Sequence, residues 1–413
     1  MTQSVDPSPV EGSLDAPASK SYAQRALAAA LLADGESTLL NMGLCNDTAA
    51  AIDVAQRLGA KIRCKERTYT VRGGLNPQSS ELNIGESGLS TRLFTPIASL
   101  YPHPIAINGH GSILTRPVTM MEQPLRDLGV KITSNDGFLP IVVQGPIRGG
   151  DVRVDGSLSS QFLTGLLMAL PKAQNDSVIY VGKLNSKPYV DMTIEVMQAF
   201  GVEASHRDYE EFFVEGNQSY QPATYNVEGD WSGASCILVA GAVAGCVEVR
   251  NLNPASLQAD LAIIDALERA GACISSADTT YTVSKGDLRG FEFDATDCPD
   301  LFPALVALAA NCKGKTFLTG TLRLTNKESD RARTLADVFG RLGIEVDISQ
   351  ENLMVVKGGK IRGGEVHSHN DHRIAMAAAV AGLTAKGTVV IDGAEAVDKS
   401  YPGFWDDLKK IKK

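Results

Sequence analysis

The chain lacks several features that mark particular classes of protein. It has no excess of positive charge, since its formal net charge is −9, which argues against a nucleic-acid partner held by bulk electrostatics. No apolar run is long enough to span a membrane. Residues 1–14 lack the basic and apolar regions of a signal peptide. We therefore expect a cytoplasmic protein without a nucleic-acid or membrane partner.

Cysteine is present, but without the spacing of a metal site or a disulfide framework. The chain has seven cysteines, an odd number that cannot all be paired in disulfides. They form no CxxC pair and have no paired spacing with histidine. We expect them to be small buried apolar residues in a reducing compartment. Glycine-rich pieces such as Gly149-Gly150 lack the strand-to-helix context of a nucleotide loop. The sequence therefore predicts neither a metal ion nor an organic cofactor.

The chain does contain an internal repeat. About every seventy residues a helical segment runs into a glycine and an alternating, strand-like segment follows; these glycines are Gly59, Gly129, Gly201, Gly271 and Gly343. Between them, polar clusters open segments that are nearly all apolar, such as residues 237–243 and 375–381. A helix that is apolar all round is buried on every side. The pattern therefore predicts buried helices whose openings carry the polar residues.

Six similar units predict an α/β protein of two domains with three repeats each. A chain of 413 residues is too long for one ordinary core. Each repeat should run helix, strand, helix, strand, strand, with the first helix buried and the second amphipathic and outermost. The composition around residues 221–230 indicates the boundary. We expect residues 16–227 to form the first domain and residues 228–413 the second; residues 1–15 could pack with either half, and we assign them to the second.

The helix openings are the candidates for chemistry, because a helix N-terminus presents free N–H groups and binds anions. Serine or aspartate at such a position is explained by helix capping alone. Lysine and arginine oppose the helix dipole there. Their repetition indicates an external anion, and the residues are Lys20, Arg25, Arg116, Lys327, Arg331, Arg373 and Lys399. Asp300 and Glu328 stand among these cations as salt-bridge partners or as proton donors and acceptors.

Several motifs, in order between Leu14 and Phe404, resemble the 5-enolpyruvylshikimate-3-phosphate synthase family. They are Lys20-Ser21 with Arg25, Ser159-Ser160-Gln161, Ser186-Lys187-Pro188-Tyr189, Lys327-Glu328-Ser329-Asp330-Arg331 and Asn370-Asp371-His372-Arg373. The resemblance implies two inside-out α/β barrel-like domains, each of three repeats with buried helices. It also implies transfer of the enolpyruvyl group of phosphoenolpyruvate to the 5-hydroxyl of shikimate 3-phosphate, through a tetrahedral intermediate that releases phosphate.

The resemblance implies a role for each matching residue. Shikimate 3-phosphate would be held by Lys20, Ser21, Arg25, Ser159, Ser160, Gln161, Ser186, Tyr189, Asp300 and Lys327. Phosphoenolpyruvate would lie against Lys20, Gly88, Arg116, Gln161, Arg331, Arg373 and Lys399. The catalytic residues would be Asp300, which accepts the hydroxyl proton, Glu328, which protonates the methylene carbon, and Lys20. We also expect a monomer without a metal or cofactor, and inhibition by glyphosate in the phosphoenolpyruvate pocket.

Three positions depart from the family pattern. Glu86-Ser87-Gly88-Leu89 stands where the family usually has Asn-Ala-Gly-Thr, Leu93 replaces a proline that commonly follows Arg92, and Arg323 stands where an asparagine usually contacts shikimate 3-phosphate. Two alternatives stay open. A transferase acting on UDP-N-acetylglucosamine typically has a cysteine in the loop before its Arg-Pro, and residues 109–117 have none. A non-catalytic repeat scaffold predicts an extended array, not closed domains.

Overall fold

The computed structural model describes residues 1–157, 159–325 and 327–413. These residues form a mixed α/β fold. Its α-helices are α1 (Lys20–Leu32), α2 (Asn46–Arg57), α3 (Gly88–Ala98), α4 (Glu122–Asp127), α5 (Gln161–Ala169), α6 (Pro188–Ala199), α7 (Trp231–Ala244), α8 (Ile263–Ala270), α9 (Phe302–Ala310), α10 (Arg331–Arg341), α11 (His372–Thr384) and α12 (Phe404–Ile411). Among the described residues, none of the helices combines the length and apolarity needed to cross a membrane.

The strands are short, mostly of three to six residues. They are β1 (Thr2–Val5), β2 (Val10–Asp15), β3 (Glu36–Leu40), β4 (Lys61–Lys65), β5 (Thr68–Arg72), β6 (Glu81–Asn83), β7 (Ile105–Asn108), β8 (Lys131–Asn135), β9 (Phe138–Gln144), β10 (Asp151–Asp155), β11 (Ser177–Gly182), β12 (Ser205–Arg207), β13 (Glu211–Val214), β14 (Thr224–Asn226), β15 (Gly245–Arg250), β16 (Cys273–Ala277), β17 (Thr280–Ser284), β18 (Glu292–Asp294), β19 (Lys315–Thr319), β20 (Glu345–Asp347), β21 (Leu353–Lys357), β22 (Gly364–His367) and β23 (Val389–Asp392).

The chain divides into two compact units. We call Ala18–Val227 the first unit, and Met1–Pro17 together with Glu228–Lys413 the second unit. Each unit has a hydrophobic core of its own.

One sheet topology recurs in both units. The first unit contains the sheets β14-β3-β5-β4, β6-β7-β9-β8 and β10-β11-β13-β12, and the second contains β2-β15-β17-β16, β18-β19-β21-β20 and the three-stranded β1-β23-β22. In each four-stranded sheet the first two strands are parallel, and an antiparallel hairpin completes the sheet. The same order holds in the second unit.

A short strand precedes each buried helix, which the sequence pattern did not predict. In most repeats this strand pairs in parallel with the strand that follows the helix, as β6 does with β7. Two strands are exchanged: β2 precedes α1 but pairs with β15 of the second unit, and β14 precedes α7 but pairs with β3 of the first. Because β1 also pairs with β23, the leading segment is part of the second unit.

The nearly all-apolar segments form buried helices, as predicted. Every residue of α9 is buried, and so is α7 from Trp231 to Val243. In the first unit, α3 is buried throughout, and α1 and α5 are buried except at their first one or two residues. The following helices, such as α8, bury only one face. The polar residues that open the buried helices are consequently held at fixed positions by the core.

The expectation that all seven cysteines are buried is wrong for three of them. Cys64 and Cys273 are exposed, Cys246 is half-buried and the other four are buried; all are free thiols. Cys64 lies on β4 and Cys273 on β16, which are the edge strands of their sheets. Both strands are exposed at nearly every position, so a small residue there has no core to enter.

Candidate active site

In the first unit, Lys20 is the first residue of α1 and its ammonium is paired with a carboxylate. Ser19 caps the helix by accepting a hydrogen bond from the backbone N–H of Tyr22. Lys20 Nζ lies 2.9 Å from Asp47 Oδ2, and the two side chains are 16% and 12% exposed. Asp47 stands in the first turn of α2. Sequence spacing does not reveal this ion pair, because the two residues lie on different helices.

Arg25, one turn further along α1, is a buried cation with neutral partners. Its Nε donates to Thr193 Oγ1 at 2.9 Å, its Nη1 to the Ser21 carbonyl at 3.0 Å and its Nη2 to the Tyr189 carbonyl at 3.0 Å. A further Nη2 contact reaches Thr164 Oγ1 at 3.3 Å. Burial lowers the pKa of Arg25 to about 10. Because these acceptors are uncharged, an anionic ligand nearby would stabilise the guanidinium.

Arg116 and Gly88, which are distant in sequence, are in direct contact. A Cβ atom placed on Gly88 would lie 2.7 Å from both terminal nitrogens of Arg116 and 2.8 Å from its central carbon. Arg116 is only 7% exposed, and within the described part of the chain its Nε and Nη1 have no hydrogen-bond partner. A buried guanidinium with unused donors beside the start of α3 is the arrangement expected of an anion site.

Arg92 is a further buried cation at this site, and it was not among the predicted site residues. Its Nη1 donates to the Gly88 carbonyl at 3.1 Å and to Gln161 Oε1 at 3.3 Å, and its Nη2 donates to the Pro117 carbonyl at 3.2 Å. It therefore links the starts of α3 and α5 to the segment next to Arg116. The available signal was an arginine inside an otherwise apolar helical segment.

The predicted serines lie at the openings of α5 and α6. Ser159 Oγ accepts a hydrogen bond from the Gln161 backbone N–H at 3.1 Å, and Ser160 is 4% exposed. Ser186 is equally buried and has a φ of +58°. Tyr189 lies in the first turn of α6, and its backbone carbonyl accepts a hydrogen bond from Arg25 Nη2. Leu158, part of the motif around these serines, lies outside the described residues, as does Asn326 beside Lys327.

In the second unit, Arg331 opens α10 and contacts three carboxylates. Its Nη1 lies 2.6 Å from Asp300 Oδ1, its Nη2 2.6 Å from Glu328 Oε2 and its Nε 2.8 Å from Asp371 Oδ2. Arg331 and Asp371 are 1% and 0% exposed, whereas Asp300 and Glu328 are 23% and 17% exposed. Asp371 is the N-cap of α11 and belongs to the motif Asn370-Asp371-His372-Arg373. The buried Asp371 carboxylate holds the Arg331 guanidinium in place, while the carboxylates of Asp300 and Glu328 remain partly exposed.

Charge decides the protonation state of this cluster. Burial alone would raise the pKa of Asp300, but the charges of Lys327, Arg373 and Arg331 outweigh it and hold that pKa well below its ordinary value. Lys327 Nζ lies 3.1 Å from Asp300 Oδ1, and burial lowers the pKa of Lys327 although Asp300 partly opposes this. Burial likewise opposes the charge on Arg331, but its three carboxylates keep its pKa raised. Asp300 is therefore an anion and, while so paired, a weak base.

Arg373 and Lys399 complete the predicted cations of the second unit. Arg373, at the start of α11, donates from Nη1 to the Ser232 carbonyl at 3.3 Å and lies 3.5 Å from Asp300 Oδ2 through Nη2. Lys399 Nζ donates to the Asn370 carbonyl at 2.8 Å. Both are buried. In the described residues we find no group of three or more His, Cys, Asp or Glu side chains placed to hold a metal ion.

Buried helices that present cations at their openings, with carboxylates among them, are the arrangement expected of an α/β protein that binds anions. The family model for EPSP synthase (3-phosphoshikimate 1-carboxyvinyltransferase) matches residues 5–408. The chain therefore belongs to the EPSP synthase family, which confirms the resemblance seen in its motifs.

Individual relatives agree over the full length. The 3-phosphoshikimate 1-carboxyvinyltransferase of Thermococcus kodakarensis is 40% identical over 403 residues, covering 97% of this chain and 98% of the relative. That of Clostridium perfringens is 35% identical over 412 residues, covering 98% and 97%. An EPSP synthase structure from Acinetobacter baumannii superposes with a TM-score of 0.84 at 26% identity, covering 100% of this chain and 98% of the other.

Proposed function

We propose that the protein transfers the 1-carboxyvinyl group of phosphoenolpyruvate to the 5-hydroxyl of shikimate 3-phosphate and releases phosphate, a step of the shikimate pathway to aromatic amino acids. The observation that carries the proposal is the buried Arg331 with Asp300 and Glu328 in contact, in a chain that matches the family from residue 5 to residue 408.

The charges of the substrates explain why so many cations are needed. Phosphoenolpyruvate and shikimate 3-phosphate each carry a phosphate and a carboxylate. Bringing them together therefore requires positively charged side chains of the protein next to both substrates. Arginine meets either group with paired hydrogen bonds. The protein as a whole carries a net charge of −9, so local clusters must supply this attraction.

We assign shikimate 3-phosphate mainly to the first unit. Arg25 supports this assignment because its charge faces neutral oxygens, so a substrate anion can balance it. Ser21, Ser159, Ser160, Gln161, Ser186 and Tyr189 lie at the openings of α1, α5 and α6, where hydroxyls and backbone N–H groups bind phosphate. Lys327 and Asp300 would contact the same substrate.

Phosphoenolpyruvate is assigned to Lys20, Gly88, Arg116 and Gln161 of the first unit and to Arg331, Arg373 and Lys399 of the second. Arg116 supports this part of the proposal through its unused donors next to Gly88. A guanidinium of this kind can bind a carboxylate or phosphate without first breaking protein hydrogen bonds.

The chemistry proceeds by addition and elimination. Asp300 accepts the proton of the 5-hydroxyl, whose oxygen bonds to carbon 2 of phosphoenolpyruvate, while Glu328 protonates carbon 3. The resulting ketal then returns a proton from its methyl group to the Glu328 carboxylate while the bond from carbon 2 to the phosphate oxygen breaks. Inorganic phosphate leaves with the proton that Asp300 had accepted. In this proposal, Lys20 stabilises negative charge during the reaction.

Substrate binding changes the proton affinity of the two carboxylates in the direction that the reaction requires. The charges of Lys327, Arg373 and Arg331 hold the pKa of Asp300 well below its ordinary value. Substrate anions compete for these cations and add negative charge nearby. Both effects raise the proton affinity of Asp300 and Glu328, which makes Asp300 a better base and lets Glu328 hold the proton that it must donate.

The proposal assigns different substrates to two inside-out α/β domains. The first, residues 16–227, would bind mainly shikimate 3-phosphate, and the second, residues 1–15 with 228–413, would supply most phosphoenolpyruvate contacts and the catalytic carboxylates. It is supported by the burial of α1, α3 and α5 in the first unit and of α7, α9 and α11 in the second.

The test is a phosphate-release assay on the full chain. We expect release only when phosphoenolpyruvate and shikimate 3-phosphate are both present, and none when UDP-N-acetylglucosamine replaces shikimate 3-phosphate. Release with the nucleotide sugar would favour the alternative transferase. A folded protein that releases no phosphate with either acceptor would overturn the proposal.

A further inference from the structure

Glu86, which stands where the family usually has asparagine, contacts the segment that carries Arg116. Its Oε2 accepts hydrogen bonds from both the backbone N–H and the Oγ of Ser112, each at 2.8 Å. We propose that Glu86 is a positioning residue that holds Arg116 in place for the phosphoenolpyruvate anion. This inference rests on the proposed function.

The contacted segment needs an external acceptor. Gly111–Thr115 forms one 3-10 helix, and the residue before it, His110, provides no side-chain cap. The carboxylate of Glu86 therefore satisfies an N–H group that the helix leaves open, and its charge complements the helix start. Gly111 has a φ of +62°, and a Cβ there would collide with the Glu86 carboxylate. A larger residue at this position would displace that carboxylate and would be strained by the positive φ.

The position of the Arg116 side chain depends on its backbone, because few hydrogen bonds hold the guanidinium itself. Among the described residues its Nε and Nη1 have no partner, while its backbone N–H donates to the Ile113 carbonyl at 3.2 Å, at the end of the same 3-10 helix. Residues 86–88 therefore touch this segment at two points. The Glu86 carboxylate holds the helix start, and the Gly88 backbone lies beneath the guanidinium.

The side-chain length of glutamate matters to this arrangement. Asparagine, the usual residue, is one methylene shorter and uncharged, so from the same backbone position it would not reach Ser112 equally well. Glutamine keeps the length and an acceptor oxygen but loses the charge. The series Glu86→Gln, Glu86→Asn and Glu86→Ala therefore separates reach from charge.

The experiment measures KM for phosphoenolpyruvate and for shikimate 3-phosphate separately. For Glu86→Ala we expect the KM for phosphoenolpyruvate to rise about tenfold, the effect of losing a hydrogen bond to a charged group, with less than a twofold change in the other KM. Glu86→Gln should restore most of the loss and Glu86→Asn little of it. Glu122→Ala is the matched control, because Glu122 also accepts from a serine hydroxyl, Ser134 Oγ, in the first unit.

Three outcomes overturn the inference: an unchanged KM for phosphoenolpyruvate in Glu86→Ala, equal rises in both KM values, or the same effect in the Glu122→Ala control. If Glu86→Ala does not fold, Glu86→Asn and Ser112→Ala carry the comparison. An inactive wild type refutes the proposed function instead. In that case, calorimetric titration with phosphoenolpyruvate in the presence of shikimate 3-phosphate tests Glu86, and equal affinities of wild type and variant overturn its role.

Discussion

A methyl group at position 88 would meet the guanidinium of Arg116. In Gly88→Ala the new Cβ would lie 2.7 Å from both terminal nitrogens of that side chain. Favourable contacts between such atoms need about 3.5 Å or more. The backbone of α3 is buried and cannot easily move, so the guanidinium must retreat by about 0.8 Å or more.

The size of this retreat predicts the size of the kinetic effect. A misplacement of about 1 Å in a substrate-positioning group can cost about 10²-fold in rate. We therefore expect kcat/KM for phosphoenolpyruvate to fall by about 10- to 100-fold, equivalent to about 1.4 to 2.7 kcal/mol. The KM for shikimate 3-phosphate should change little, since Arg25 and its partners are untouched. Competitive inhibition by glyphosate, which the family resemblance implies, should weaken in the same variant.

Steady-state kinetics with each substrate varied in turn measures this effect. Gly340→Ala is the matched control, because Gly340 lies exposed in α10 and a Cβ there meets nothing within 4 Å. That variant should keep its kinetics and gain up to about 1 kcal/mol of stability, since alanine is favoured over glycine in a helix. If Gly88→Ala stays folded and its kcat/KM for phosphoenolpyruvate equals that of wild type, Arg116 does not bind this substrate.

Two further predictions concern the carboxylates of the second unit. Glu328→Gln keeps the shape but removes the transferable proton, so turnover should fall by about 10² to 10⁴ with little change in binding of shikimate 3-phosphate; lost binding with turnover retained at saturation would make Glu328 a structural ion-pair partner. Asp300→Asn should lower the melting temperature at pH 7. Because the pKa of Asp300 is held below its ordinary value, its ionised form contributes stability above the unfolded pKa of about 3.9, and this is lost as pH falls through the lower folded pKa. The difference in melting temperature should therefore narrow below about pH 4, whereas a constant difference down to pH 3 would rule out an electrostatic origin.

Sequence alone predicted the features that follow from local composition. The segments around Ile237 and Ala375 are apolar on every side, so burial was the only favourable outcome, and both form buried helices. The cations at helix openings were equally visible, because Lys20 and Arg373 stand where the helix dipole disfavours them.

The partners of those cations could not be predicted, because they arise from tertiary packing. Asp47 lies 27 residues from Lys20, and Asp371 lies 40 residues from Arg331. No periodic pattern links either pair. The contact of Glu86 with Ser112 spans 26 residues, and the sequence showed only that Glu86 departs from the family pattern.

The short strands before the buried helices were missed for a related reason. Strand β6 has only three residues, Glu81–Asn83, with one buried side chain, which is too little alternation to recognise. Its stability comes from parallel pairing with β7. The pairing of β2 with β15 and of β14 with β3 is likewise a property of the assembled sheets and cannot be recognised in either segment alone.

The central claim, transfer of a carboxyvinyl group, is tested most directly by the fate of the oxygen that bridges carbon and phosphorus in phosphoenolpyruvate. Full-length protein would be given shikimate 3-phosphate and phosphoenolpyruvate labelled with oxygen-18 at that position. Addition and elimination break the carbon–oxygen bond, so the account predicts that the label appears in the released phosphate. Label retained by a pyruvate product, with cleavage at phosphorus, would contradict the account.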